Sequence, residues 1–325
     1  MKLFRNILLV VLALLLVSGI GGYFYMRKKF EPGVNQLSVT GLPATCTFVW
    51  KADSTAQPVV AHAALLVPAR LPGCPRTCYF QFDTGAPTSI LYARSLAALR
   101  GRYPATTQTL LPQADTVRNF QFGLGSGSVQ ARKIKVLDYG RSTLPADSTE
   151  PFIIGTLGTD ALEGRVLVLN YSTRQFSLRA DVPTSLTSQT VFVPLDFASR
   201  RVMLNAAVQG KPRQLLFDSG SSAFALLTSR ATWEQMAQPQ ARVRHAAVNS
   251  LGTTLTAHTV ATAATLGLGQ VAVPLHTVTY IEGTSFMQSA LMRFSGMGGM
   301  LGNEPFAERT IVLDVRGGRF GLVHQ

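Results

Sequence analysis

Residues 155–178 align without a gap on residues 299–322. Gly155/Gly299, Leu157/Leu301, Gly158/Gly302, Arg165/Arg309, Val168/Val312, Leu169/Leu313, Phe176/Phe320 and Leu178/Leu322 are identical pairs. Each copy opens on Gly-x-Leu-Gly and continues as two strand-like pieces around a turn. Upstream of each copy lies another shared element, Phe82-Asp83-Thr84-Gly85 in one case and Phe217-Asp218-Ser219-Gly220 in the other. Both enter from an apolar strand-like run and leave into another, at 90–92 and 224–227. The same programme run twice predicts two related halves, each presenting one aspartate at a turn.

The runs between turn residues are short and rich in Val, Thr, Leu and Phe, which predicts an all-β chain with a few short helices. Strands are expected at 46–50, 59–67, 79–82, 166–169, 175–178, 202–208, 260–266 and 271–280. Helical spacing at 92–102 would turn Leu96, Leu99 and Tyr103 to a core, and a second helical patch covers 229–237. Residues 120–137 form a hairpin whose tip, 123–128, is expected to be mobile because it is rich in glycine. The division expected is an N-terminal anchor at 1–29, a linker at 30–44, and two β-barrel-like lobes at 45–183 and 184–325.

A carboxylate at the end of an apolar strand is costly unless something compensates. A second carboxylate in an equivalent turn compensates if the two share a proton: repulsion raises one pKa, and one group then gives a proton while the other takes one. Asp83 and Asp218 are therefore the candidate catalytic pair. Thr84 and Ser219 supply hydroxyls short enough to tie one turn to the other, and Gly85 and Gly220 let backbone amides approach the carboxylates. Ordinary Asp-Gly turns would carry polar flanks, unlike the apolar flanks here.

Asp83-Thr84-Gly85 and Asp218-Ser219-Gly220 resemble the paired active-site motifs of bilobal, pepsin-like aspartic proteases. Ile153-Ile154-Gly155 and Met297-Gly298-Gly299 resemble that family's hydrophobic-hydrophobic-Gly segments, the second with Gly298 in a usually bulkier position. The resemblance covers the two lobes. It implies the aspartic-protease fold, a dyad of Asp83 and Asp218 that activates water, and a peptide or protein substrate. Ser221 stands where pepsin-like enzymes place a hydroxyl beside the aspartate; Ala86 departs from that pattern and resembles retroviral-type proteases. Gly125, Ser126 and Gly127 stand where the family has its flap, without the usual flap tyrosine. These departures leave open a catalytically weak or inactive module that binds peptides at the cell envelope. Neither cofactor nor metal is expected, and two lobes in one chain imply a monomer.

Residues 7–26 are almost uninterrupted apolar, long enough to span a bilayer as a helix, with Lys2 and Arg5 before and Arg27-Lys28-Lys29 after. They predict a single-pass membrane anchor with the bulk of the chain outside the cytoplasm. The formal charge of +13 is scattered and accompanies no nucleic-acid motif, so no nucleic-acid partner is expected. Cys74 and Cys78 bracket three residues and fit either a tight disulfide loop or free thiols; Cys46 is then the odd one out.

Overall fold

The computed structural model describes residues 31–54, 59–250, 253–283 and 298–324. The expected membrane anchor at 7–26, and Met297 of the second hydrophobic-hydrophobic-Gly segment, lie outside the described residues. Among the described residues no helix is long and apolar enough to cross a membrane. The chain divides into a segment ending at Val34 and one compact unit, Asn35–Gln325.

Strands dominate that unit. The first half carries β1 (Leu37–Thr40), β2 (Ala44–Thr47), β3 (Val49–Asp53), β4 (Val60–Ala69), β5 (Cys78–Phe82), β6 (Ile90–Tyr92), β7 (Thr116–Leu124), β8 (Gly127–Leu137), β9 (Ile153–Leu157), β10 (Val166–Asn170) and β11 (Gln175–Arg179). The second carries β12 (Thr190–Asp196), β13 (Met203–Val208), β14 (Lys211–Phe217), β15 (Leu226–Leu227), β16 (Arg244–Ser250), β17 (Thr253–Ala261), β18 (Thr265–Leu268), β19 (Val271–Pro274), β20 (Thr277–Glu282), β21 (Gly299–Leu301), β22 (Thr310–Asp314) and β23 (Arg319–Val323). The helix Ala93–Arg102 buries Leu96 and Leu99, with Tyr103 packed partly against the core, and Pro104 follows. The helix Arg230–Met236 is capped by Ser229, whose hydroxyl accepts the Thr232 amide.

The two halves build the same crossing of strands. β5 runs parallel to β9, β9 is antiparallel to β6, and β6 is parallel to β8. Likewise β14 runs parallel to β21, β21 is antiparallel to β15, and β15 is parallel to β20. The repeat-related leucines sit at matching places, Leu157 opposite Phe82 and Leu301 opposite Phe217.

The repeated strand–turn–strand units meet in one sheet through β10 and β22. Val168 pairs with Val312, Val166 with Asp314, and Asn170 with Thr310. The sequence repeat carries Val168 onto Val312, Val166 onto Thr310, and Asn170 onto Asp314. The first pair thus maps onto itself and the other two exchange. A local two-fold axis therefore passes between Val168 and Val312. The aromatic core follows the same symmetry: Phe82 packs on Phe176 at 5.2 Å, and Phe217 on its counterpart Phe320 at 5.9 Å.

Three expectations need correction. The sheets are open and mixed, not closed barrels: the first runs β1-β8-β6-β9-β5-β4-β3, and its end strands do not pair with each other. Parallel neighbours such as β5 and β9 come from crossing connections, which interleave strands instead of rolling them up in order. The linker expected at 30–44 contains β1, paired to β8, because Leu37 and Val39 are buried while Ser38 and Thr40 face solvent. That alternation is only four residues long and hides among Pro, Gly and Asn. The strands expected at 260–266 and 271–280 are each broken in two. Thr262 leaves the sheet to donate its hydroxyl to Met236 O, and His276 takes a positive φ of 58°.

Candidate active site

Strands β5 and β14 end in the two aspartate turns. The Asp83 amide donates to Leu157 O at 3.1 Å, and the Asp218 amide donates to Leu301 O at 2.8 Å. Each turn is thus pinned to the parallel strand beside it, β9 or β21. Phe82 and Phe217, one residue earlier, are fully buried and fix the entering strands.

The turns lock into each other. The Thr84 amide donates to Ser219 Oγ at 2.9 Å, and the Ser219 amide donates to Thr84 Oγ1 at 2.9 Å. The hydroxyls go on to donate across the halves, Thr84 to Phe217 O at 2.7 Å and Ser219 to Phe82 O at 3.1 Å. Both residues are completely buried, so all four donors are satisfied without water.

The lock brings the carboxyls together. A Cβ added at Gly85 would lie 2.6 Å from Asp218 Oδ1, and one added at Gly220 would lie 2.6 Å from Asp83 Oδ1. Each carboxyl therefore lies over the other half's glycine, where no side chain fits. Gly85 donates its amide to Asp83 Oδ1 at 2.8 Å, and Gly220 donates to Asp218 Oδ1 at 2.9 Å. Burial, the neighbouring Asp218 charge and a hydrogen bond to the Asp218 carboxyl push Asp83 up to about 7, partly offset by the Gly85 and Ala86 amides.

The two carboxyls differ in their hydroxyl partners. Ser221 donates its hydroxyl to Asp218 Oδ2 at 2.8 Å. Ala86, three residues after Asp83 as Ser221 is after Asp218, has no hydroxyl to offer. A hydroxyl donor favours the ionised form of a carboxylate, and Asp83 lacks the one that Ser221 gives Asp218.

The tip Gly125-Ser126-Gly127 is not brought to the aspartates. Ser126 donates its hydroxyl to Pro43 O at 2.7 Å, and Arg70 donates a guanidinium N–H to Gly125 O at 2.5 Å. Arg70 also pairs through its backbone with Gly123. Arg70 follows Ala69, the partner of Cys78 at the start of β5, so the tip sits at the opposite end of β5 from Asp83, about 16 Å along the strand. The glycines serve close packing. At Gly125, with φ of +55°, a Cβ would lie 2.0 Å from Thr45 O; at Gly127 it would lie 2.7 Å from the Ala44 Cβ.

Two supporting residues escaped the sequence reading. Thr159 donates to Arg200 O at 2.6 Å and approaches Ala86 O at 3.1 Å, while Asn303 donates its amide to Ser219 O at 3.3 Å and Ser222 Oγ at 3.0 Å. Both follow the second glycine of a Gly-x-Leu-Gly and reach back to an aspartate turn. Their shared repeat position was the available signal, hidden because the residue types differ. Ser89, in the loop after Asp83, is also held: its amide and hydroxyl each donate to Asp160 at 2.7 Å. An open cavity of about 690 Å³ beside Trp50, His62, Tyr171 and Glu308 has neither aspartate in its lining.

Comparison with protein-family models finds no match for this chain, and comparison with curated proteins finds none either.

Proposed function

We propose that the protein is an aspartic endopeptidase of the two-lobed aspartic-protease fold, with Asp83 and Asp218 as its dyad. The observation that carries this reading is the reciprocal Thr84–Ser219 lock, which sets two carboxyls from separate halves over each other's glycines. A purely structural turn needs neither the second carboxyl nor an Asp83 carboxyl held near neutrality.

In the proposed mechanism a water lies between the carboxyls. Asp218 takes a proton from it as oxygen attacks the peptide carbonyl, while Asp83 gives its proton to the carbonyl oxygen. The gem-diol then collapses. Asp218 passes its proton to the leaving nitrogen, and Asp83 recovers one from a gem-diol hydroxyl. The chain's residues supply both proton transfers, and the pair returns to its starting state. Residues 7–26 would anchor this site to a membrane as a single span, with the substrate peptide met outside the cytoplasm, and the protein would work as a monomer.

A second reading, a peptide-binding module with weak or no turnover, is favoured by Ala86 and by the placement of the 125–127 tip away from the dyad. A statine-type transition-state mimic separates the two when titrated against the full-length protein. A protease binds the mimic far more tightly than a plain peptide, and Asp83→Asn or Asp218→Asn removes that preference. Equal affinity for mimic and peptide supports the module and rejects the dyad.

A further inference from the structure

Between β4 and β5 the chain makes a short loop, Leu71 to Thr77, closed by a Cys74 amide hydrogen bond to Leu71 O at 3.1 Å. Cys74 in this loop and Cys78, the first residue of β5, face the same backbone oxygen. Both are free thiols; Cys74 Sγ lies 3.4 Å from Arg76 O, and Cys78 Sγ lies 3.9 Å from the same oxygen. Cys74 is half-buried and Cys78 has no exposed surface. Cys46 stands apart on β2 and has no part in this cluster.

Arg76 stands between the two cysteines in sequence, and its side chain is a latch. Its guanidinium donates to Pro145 O at 3.1 Å, Asp147 O at 2.9 Å and Glu150 O at 2.6 Å. Those carbonyls belong to the connection that runs into β9, the strand parallel to β5. A single loop thus holds the entrances of the two strands that end at Asp83 and Leu157. Arg76 is only 7% exposed, and its Nε has no partner, so the latch is buried and not fully satisfied. A buried cation whose direct hydrogen bonds go to three backbone carbonyls depends on the loop keeping its shape.

We propose that Cys74 and Cys78 form a dithiol–disulfide site, which takes a disulfide-bearing donor as its oxidant and on closing fixes the Arg76 latch. Burial decides the order of events. Only Cys74 is open to a donor, and its thiolate attacks one sulfur of the donor disulfide. That forms a mixed disulfide and releases the first donor thiolate, which takes up a proton. Cys78 then loses its proton and attacks Cys74 Sγ, the mixed disulfide breaks, and the second donor thiol leaves. Two protein thiols are oxidised by two electrons and one donor disulfide is reduced to two thiols. The chemistry of the pair suits these roles. The neighbouring Cys78 thiol, with the Arg76 backbone and charge, brings Cys74 down to about 7 against the opposing effect of burial, whereas the Cys74 neighbour and burial hold Cys78 protonated.

The test uses the full-length protein in detergent, equilibrated with mixtures of reduced and oxidised glutathione, then quenched with a maleimide and mapped by mass spectrometry. Two of the three thiols are expected to vanish together, with loss of two hydrogens and a linked peptide joining Cys74 to Cys78, while Cys46 stays alkylatable. On oxidation the unfolding temperature should rise, and amide exchange at 145–150 should slow. Cys78→Ser should instead stop at a stable glutathione adduct on Cys74. Three free thiols at the most oxidising poise, a persistent adduct on Cys74 in the unaltered protein, or a bond that includes Cys46 would each overturn the proposal. Amide exchange at 145–150 that is unchanged after the bond has formed would overturn the latch. None of these readouts depends on peptide hydrolysis.

Discussion

Thr84 and Ser219 each donate a backbone amide to the other's hydroxyl at 2.9 Å, although 135 positions separate them in sequence. This exchange is the hinge of the molecule's chemistry, since it fixes the distance between two carboxyls that would otherwise repel. Removing Thr84 Oγ1 in Thr84→Val leaves the Ser219 amide buried with no partner, at a cost of about 1–3 kcal/mol. Ser219→Ala should cost a similar amount. The double variant should cost less than the sum, because each single change already breaks the exchange. Urea unfolding of the full-length protein measures all three.

Stability should depend on Asp83 across a defined pH window. Its carboxyl is raised from an ordinary value of 3.8 to about 7 in the folded protein. Between those values the folded state binds more protons than the unfolded state. Its contribution is fully present below the unfolded pKa and is lost as pH rises through about 7. Asp83→Asn should flatten that slope and stabilise the protein above pH 7 by on the order of a few kcal/mol. Thermal melts from acid to alkaline pH report the result.

The missing hydroxyl beside Asp83 can be put back. Ala86→Ser places a donor where Ser221 stands in the other half, and a donor to a carboxylate lowers its pKa. The alkaline limb of any activity profile should move to lower pH by about one unit. Ser221→Ala removes the side-chain hydroxyl that donates to Asp218 Oδ2 and should lower kcat more than it raises KM. Profiles of kcat/KM for the two variants test the asymmetry.

The glycine tip gives a contrast within one hairpin. Gly125→Ala brings a Cβ to 2.0 Å from Thr45 O at a φ of +55°, and should destabilise by more than about 3 kcal/mol. Gly123→Ala meets its nearest neighbour, Arg70 Nε, at 3.4 Å and should cost less than about 1 kcal/mol. A flap would show the opposite pattern, with activity lost and stability kept.

The aspartates and their lock were legible in the sequence because two short motifs repeated in one order. Each carboxylate follows a buried phenylalanine at the end of an apolar strand, a costly place for a charge without a partner. The equivalence of Val168 and Val312 was legible too, and strand pairing turned it into a local axis. The path of the sheets was not. Whether β9 lies parallel to β5 or closes a barrel depends on long-range pairing, which local alternation does not report. The tip at Gly125 misled for a related reason: a glycine required by a neighbouring backbone and a glycine that confers freedom look alike until the neighbour is known. Thr159 and Asn303 were missed because the repeat keeps their position and their task but not their identity.

The central claim, that Asp83 and Asp218 share one proton to cut a peptide bond, is tested most directly by cleavage itself. The full-length protein and its Asp83→Asn and Asp218→Asn variants should be incubated with a diverse peptide mixture from acid to neutral pH, and the products read by mass spectrometry. The unaltered protein is expected to hydrolyse internal peptide bonds, with activity falling as pH rises through about 7. Each variant should fold and lose about 10²–10⁴-fold in rate. Cleavage that survives either substitution, or its absence from the unaltered protein at every pH, would contradict the account.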